Sequence, residues 1–196
     1  MVPMPELPDR IATLAFAHGA DRFMIVGRHS LRSLMEAEIG QRRKPTLHLN
    51  ADRVDVDYPH TGILRRPEPA AFHLSTRVGW RLELVGGVHD LRADLSELDV
   101  HTVTVDGGMT ESAIELGDPK GARTFTADHL SHVEIRRPPD VPVRVVVTRS
   151  AAHLRVDGRH LGHTAEVELQ SQAYDLHFPG YTFTFRRADR VTIATT

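Results

Sequence analysis

The sequence predicts an all-β protein built as a single-domain parallel β-helix (β-solenoid) of about seven rungs, and three observations lead there. A pattern recurs seven times along the 196 residues: a two-residue corner, a small or apolar residue, two polar residues, then apolar-x-apolar. The copies "HGADRFMI", "LNADRVDV", "GGVHDLRA", "GGMTESAI", "DHLSHVEI", "RSAAHLRV" and "RRADRVTI" begin their terminal triplets at Phe23, Val54, Leu91, Ser112, Val133, Leu154 and Val191. Their spacings are 31, 37, 21, 21, 21 and 37, so the longer intervals equal one 21-residue repeat plus insertions of 10 or 16. A constant period marks a structural unit. Within each copy the apolar residues alternate, as in Val133 and Ile135 or Leu154 and Val156, which is the period of a strand with one buried face. Glycine pairs at Gly86-Gly87 and Gly107-Gly108 supply backbone freedom where the chain turns. Twenty-one residues are too few for a packed βαβ unit and enough for one solenoid coil. A sandwich is the competing reading, but it would use hairpins of varied spacing.

The elements follow in order. The opening "MVPMPELPDRIATLAFAHGADRF" has no basic segment followed by a continuous apolar run, so it reads as neither an export signal nor a membrane span. Residues of about 30–40, "SLRSLMEAEIG", begin with an N-cap serine, set Leu31, Leu34, Met35 and Ile39 on one helical face and end in glycine. That predicts a short amphipathic helix covering an open end. The insertion of about 58–77 carries three prolines and reads as a loop with an extended segment around Ala71 to Leu74. The upstream strands "WRLELV", "HTVTV" and "VRVVVT" are rich in β-branched residues, and Trp80 reads as a packing residue. Phe125, Phe183 and Phe185 fall one residue out of phase with Leu84, Val105 and Val147, so corner length varies. A last insertion, about 158–180, ends at Pro179-Gly180 in a turn into the final strand. Exact 21-residue spacing predicts that Leu91, Ser112, Val133 and Leu154 stack on consecutive parallel rungs.

"WRLELVGGVHDLRADLSELDVHTVTVDGGMTESAIELGDPKG", with "VEIRRPPDVPVRVVV" and "LRVDG", resembles the toast-rack-type bacterial β-solenoids over most of the chain. In that family glycine pairs mark corners and a proline-bearing loop separates rungs. Its members often carry an adhesin label or form the C-terminal part of envelope-stress sensors. The resemblance implies a fold, not an activity, and this chain lacks the sensors' membrane segments.

Composition removes several function classes. Lys plus Arg number 24 against 26 Asp plus Glu, so no basic stripe favours nucleic acid or an anionic membrane. Zero cysteines exclude disulfides, thiolate metal sites and thiol nucleophiles. The expectation is a cytoplasmic protein without cofactors. There is no H-E-x-x-H, and His129-x-x-His132 alone does not make a metal site. No G-x-S-x-G occurs, and the glycine pairs do not open helices as a phosphate loop would.

Thirteen histidines are the one compositional oddity. The residue before each triplet is Arg22, Arg53, Asp90, Glu111, His132, His153 or Arg190, predicting a surface ladder in which Asp90, Glu111, His132 and His153 are consecutive. Where other rungs carry glycine, this corner carries Asp128-His129 and Arg149-Ser150. A carboxylate beside imidazole fixes the tautomer and raises basicity. Asp128, His129, His132 and His153 are therefore the candidate catalytic group, with Glu111, Arg149 and Asp90 as candidate binding residues. An exposed polar ladder without chemistry is the plainer account. Two functions follow: an interaction or scaffold protein that binds itself, another protein or a small organic ligand, or a small acid-base enzyme of isomerase, lyase or cyclase type. The discriminating feature is a loop that closes a cleft over the histidine corner.

Overall fold

The computed structural model describes residues 2–3, 10–40, 45–58 and 69–196, and these are all-β, with no helix among them. The first seven strands are β1 (Val2–Pro3), β2 (Ile11–Phe16), β3 (Ala20–Arg28), β4 (Ser33–Ile39), β5 (Thr46–Asn50), β6 (Arg53–Asp57) and β7 (Ala70–Ser75). Next come β8 (Gly79–Val85), β9 (Val88–Leu95), β10 (Asp99–Asp106), β11 (Met109–Leu116) and the long β12 (Ala122–Arg137). The last are β13 (Val143–Ala152), β14 (Leu154–Val156), β15 (Arg159–Leu161), β16 (Val167–Gln170) and the long β17 (Gly180–Thr195).

They form two columns of parallel strands. The first stacks as β6, β2, β8, β10, the first part of β12, the first part of β17 and β13. The second stacks as β7, β3, β9, β11, the rest of β12, the rest of β17 and β14. Alternation places one ladder of each column inside. In the first, Leu14, Leu82, Val103, Phe125, Phe183 and Val145 pair rung to rung and all are buried. In the second, Ile25, Ala93, Ile114, Ile135, Ile193 and Val156 do the same. Each large member contributes about 1.5–3 kcal/mol by leaving water. Trp80 is fully buried and its indole N–H donates to the Ser75 carbonyl at 2.9 Å, so it is a packing residue.

Between the columns the chain makes two bends. In the rungs of β3, β9 and β11 the first bend uses glycine: Gly19, Gly86, Gly87 and Gly107 have φ of 81°, 86°, 95° and 115°. Three residues, 106–108, separate Val105 from Met109, whereas only 128 and 129 separate their partners Ala127 and Leu130. In β12 and β17 the strand runs through the bend without a break. This is the phase shift of the phenylalanines, and it is why the corner dispenses with glycine at Asp128-His129. The second bend is made in six rungs by a left-handed residue: Arg22, Asp90, Glu111, His132, His153 and Arg190 have φ between 50° and 58°. Such a conformation costs a non-glycine residue about 1–2 kcal/mol. Stacking identical bends lets the residues on both sides keep their ladder partners, as Ser131 with Thr110 and Val133 with Ser112.

Three expectations are corrected. The segment of about 30–40 is not a helix but contains β4, which pairs antiparallel with β7 from Met35↔Leu74 to Ile39↔Ala70. Leu31, Leu34 and Met35 are buried as expected; a helix would bury them too, but would leave the β7 edge without hydrogen-bond partners, and pairing overrides local propensity. The copy at Val54 is not a corner. Ala51 and Asp52 link the antiparallel pair β5–β6 as a two-residue hairpin, so Arg53 lies outside the ladder. Val133 and Leu154 are not on neighbouring strands: Val133 pairs with Val191, and Thr192 of the same strand pairs with Arg155. β17 is thus inserted between β12 and β13–β14, and the rungs do not stack in sequence order.

Antiparallel strands cover both ends. Residues 159–170 run back along the last rung, with Leu161 on Leu154, Thr164 on Ala151 and Val167 on Val147. At the opposite end β5 covers β6, while β4 and then β1 cover β7. Of the insertion at about 58–77, residues 59–68, including Arg65 and Arg66, lie outside the described residues; its expected extended part is β7.

Candidate functional site

The left-handed residues stack in the order Arg22, Asp90, Glu111, His132, Arg190, His153, following their strands. Arg190 therefore separates the two histidines that the repeat spacing makes neighbours. Opposite charges meet along the ladder. Arg22 Nε lies 3.8 Å from Asp90, which also takes Arg92 at 3.2 Å. His132 Nδ1 lies 3.7 Å from Glu111 and 3.0 Å from Ser131 Oγ, while Arg190 Nη1 approaches His132 Nε2 at 2.6 Å. A guanidinium can only donate, so Nε2 accepts and the proton sits on Nδ1, facing Ser131 and Glu111. A carboxylate, an imidazole and a guanidinium thus form a chain across three rungs. It lies open: the His132 and Glu111 side chains are 40% and 58% exposed.

The first bend answers why a glycine corner became Asp128-His129. Asp128 faces Arg186 of the inserted strand, 3.4 Å away, and His129 pairs with Arg187 in register. Arg149 stands in the irregular stretch of β13 between Val147 and Ser150, beside the same arginines. His153 is turned to the covering segment instead, with ring centroids 5.9 Å from His160 and 5.3 Å from His163. The predicted patch is therefore split. Asp128 and His129 stand at the first bend with Arg186 and Arg187, Glu111 and His132 meet at the second, His153 lies beyond Arg190, and Asp90 belongs to the Arg22 end. Residues 163–165 edge a shallow depression with His129, Ser150, Arg187 and Asp189 but do not cover His132. No group of three potential metal ligands exists among the described residues.

Sequence reading missed an enclosed polar cluster. Arg123, with a side chain only 10% exposed, donates to Asp99 at 2.7 Å, and His101 and Lys120 stand 3.6 and 3.7 Å from the same carboxylate. Burial alone would raise the Asp99 carboxyl, but the hydrogen bond and charge of Arg123, then His101 and Lys120, outweigh it and hold the group below its ordinary value. His101 is lowered by burial and by Arg123, against the pull of Asp99. Beside them the Tyr181 hydroxyl donates to the Gly117 carbonyl at 2.7 Å, and burial raises its pKa. These residues join β10, β12 and β17 outside the repeat's aligned columns, so no periodic signal marks them.

No protein-family model and no curated protein matches the sequence. A solved structure from Clostridium sporogenes ATCC 15579, described as a "putative cell adhesion protein", superposes with a TM-score of 0.66 at 11% identity, over 96% of this chain and 94% of that one. At that identity the likeness shows the fold alone. It fits the adhesin-like part of the family resemblance without establishing the toast-rack family.

In chemical terms the ladder holds one oriented imidazole between a carboxylate and a guanidinium, in water. Exposed pairs of this kind contribute at most about 1 kcal/mol each, and water competes with any bound substrate for the same groups. The arrangement suits recognition of a charged surface better than proton transfer, which needs a shielded group.

Proposed function

We propose that the chain is a non-catalytic interaction protein, a scaffold working through the exposed faces of a seven-rung parallel β-solenoid, and that its first partner is a second copy of itself. The observation that carries the reading is the open ladder: His132 and Glu111, the carboxylate and imidazole that meet on it, face solvent, whereas enzymes enclose such pairs. The adhesion label of the structural neighbour points the same way for a protein of similar fold. A cytoplasmic setting suits a chain without cysteine. The isomerase, lyase or cyclase alternative gains no support, because the insertion at about 158–180 edges the histidine corner without closing it. Light scattering at high micromolar concentration is expected to give a mass above that of the 21.9 kDa monomer; a strict monomer would overturn the self-association.

A further inference from the structure

The apolar core reaches water at one end of the first column. Leu84, Phe16 and Val56 stand in one row of register partners and Leu82, Leu14 and Val54 in the next, and all six are buried. β5 adds Leu47 to the first row and Leu49 to the second. These two remain 38% and 45% exposed. Their face of β5 has the core on one side and solvent on the other.

The backbone of β5 is open along the same edge, because among the described residues it pairs with β6 alone. The hairpin at Ala51 and Asp52 closes on Asn50 and Arg53 as a hydrogen-bonded pair, and such pairs alternate along an antiparallel ladder. Thr46, His48 and Asn50 therefore turn their N–H and C=O groups to β6, and Leu47 and Leu49 point theirs outwards. Other edges of the described residues are guarded. β1 is two residues long and contains Pro3, β15 carries Arg159, β16 carries Glu168, and the part of β4 beyond β1 carries Glu36 and Glu38. Short strands, proline and charge are the means by which an edge avoids a further strand. β5, at five residues, holds no proline, Lys, Arg, Asp or Glu.

Its sequence also fits a copy of itself. A leucine lies on each side of His48, with Thr46 and Asn50 beyond. Antiparallel pairing about a two-fold axis through His48 sets Leu47 against the second copy's Leu49, and Leu49 against its Leu47. Those are the residues with outward backbone groups, so hydrogen bonds and apolar contacts form at the same positions. Centring the axis on either leucine would pair only one of them, and a one-residue slip would put leucine opposite histidine on the other face. We infer that β5 of one copy pairs antiparallel with β5 of a second about a two-fold axis through His48, joining the two cores and closing the assembly as a dimer. This rests on the self-association proposed above and assigns its surface.

The test uses the full chain at high micromolar concentration. In light scattering the wild type is expected at twice the 21.9 kDa monomer. Leu47→Lys with Leu49→Lys should give the monomer mass with thermal melting unchanged, since both side chains face water in a single copy. Because the chain has no cysteine, single replacements report the register under mild oxidation. His48→Cys should cross-link to itself, as directly opposite residues lie within disulfide reach. Thr46→Cys and Asn50→Cys should each stay reduced alone, their like positions being about 14 Å apart, and should cross-link when mixed. If the lysine variant melts early, the cross-links decide. A dimer that survives the lysines with melting unchanged, or His48→Cys that stays reduced while the wild type is dimeric, overturns the assignment and leaves self-association standing. A monomeric wild type removes both.

Discussion

Arg123→Ala is expected to destabilise the protein by about 3–5 kcal/mol, the usual cost of leaving a buried charge without its partner. Arg123 and Asp99 are 10% and 18% exposed at the side chain, and the pair ties β10 to β12 where the chain enters successive rungs. The loss also reshapes the pH dependence. Asp99 and His101 both have folded-state pKa values below their ordinary 3.8 and 6.5, so the unfolded chain binds protons more readily than the folded one. Stability is then fully present above 6.5, declines as His101 takes its proton below that value, and declines again below 3.8 as Asp99 does. In the Arg123 variant the second decline should flatten, because the group that lowers Asp99 most is gone. Urea melts of both proteins between pH 7 and 3 check this; parallel acid limbs would show that the Arg123–Asp99 pair does not couple to folding.

Gly86→Val is expected to cost about 2–5 kcal/mol, combining the strain of a left-handed L-residue with a steric clash. A Cβ at Gly86 would stand 2.8 Å from the Gly19 amide nitrogen and 2.9 Å from the His18 carbonyl carbon, and φ there is +86°. Both obstacles are backbone of the adjoining rung, which cannot rotate away. A valine at Asp128 meets neither a glycine bend nor a left-handed φ, since β12 runs extended through that corner, and should change stability only by the loss of the exposed Arg186 contact. Equal thermal losses at the two positions would contradict the distinction drawn between the two kinds of corner.

Much of this structure could be read from the sequence, and the failures have two physical roots. Alternation at Val133 and Ile135 or Leu154 and Val156 marks inward positions because a half-buried strand needs it, and all four are buried. The shifted phenylalanines revealed a shorter corner because the ladder must stay in register on both sides of it. Rung order was not legible. A repeat records the shape of a unit but not which unit it stacks on, and nothing in "RRADRVTI" says that it lies between "DHLSHVEI" and "RSAAHLRV". Period alone makes His132 and His153 neighbours on the ladder, whereas Arg190, which fixes the tautomer of His132, stands between them. "SLMEAEI" failed differently: its helix-forming residues satisfy a local preference, whereas the β7 edge needs a strand.

The insertion of β17 between β12 and β13–β14 is the central claim, and a chain without cysteine allows a direct test by paired replacement. Glu134 and Thr192 are register partners, as are Thr192 and Arg155, whereas Glu134 and Arg155 stand two strands apart, about 9.6 Å, beyond the Cα separation a disulfide spans. Under mild oxidation Glu134→Cys with Thr192→Cys, and Thr192→Cys with Arg155→Cys, are expected to close a disulfide within one chain, measured by mass spectrometry of the digested protein. Glu134→Cys with Arg155→Cys should remain reduced. Closure of that last pair, with the other two open, would place the rungs in sequence order and contradict the stacking described.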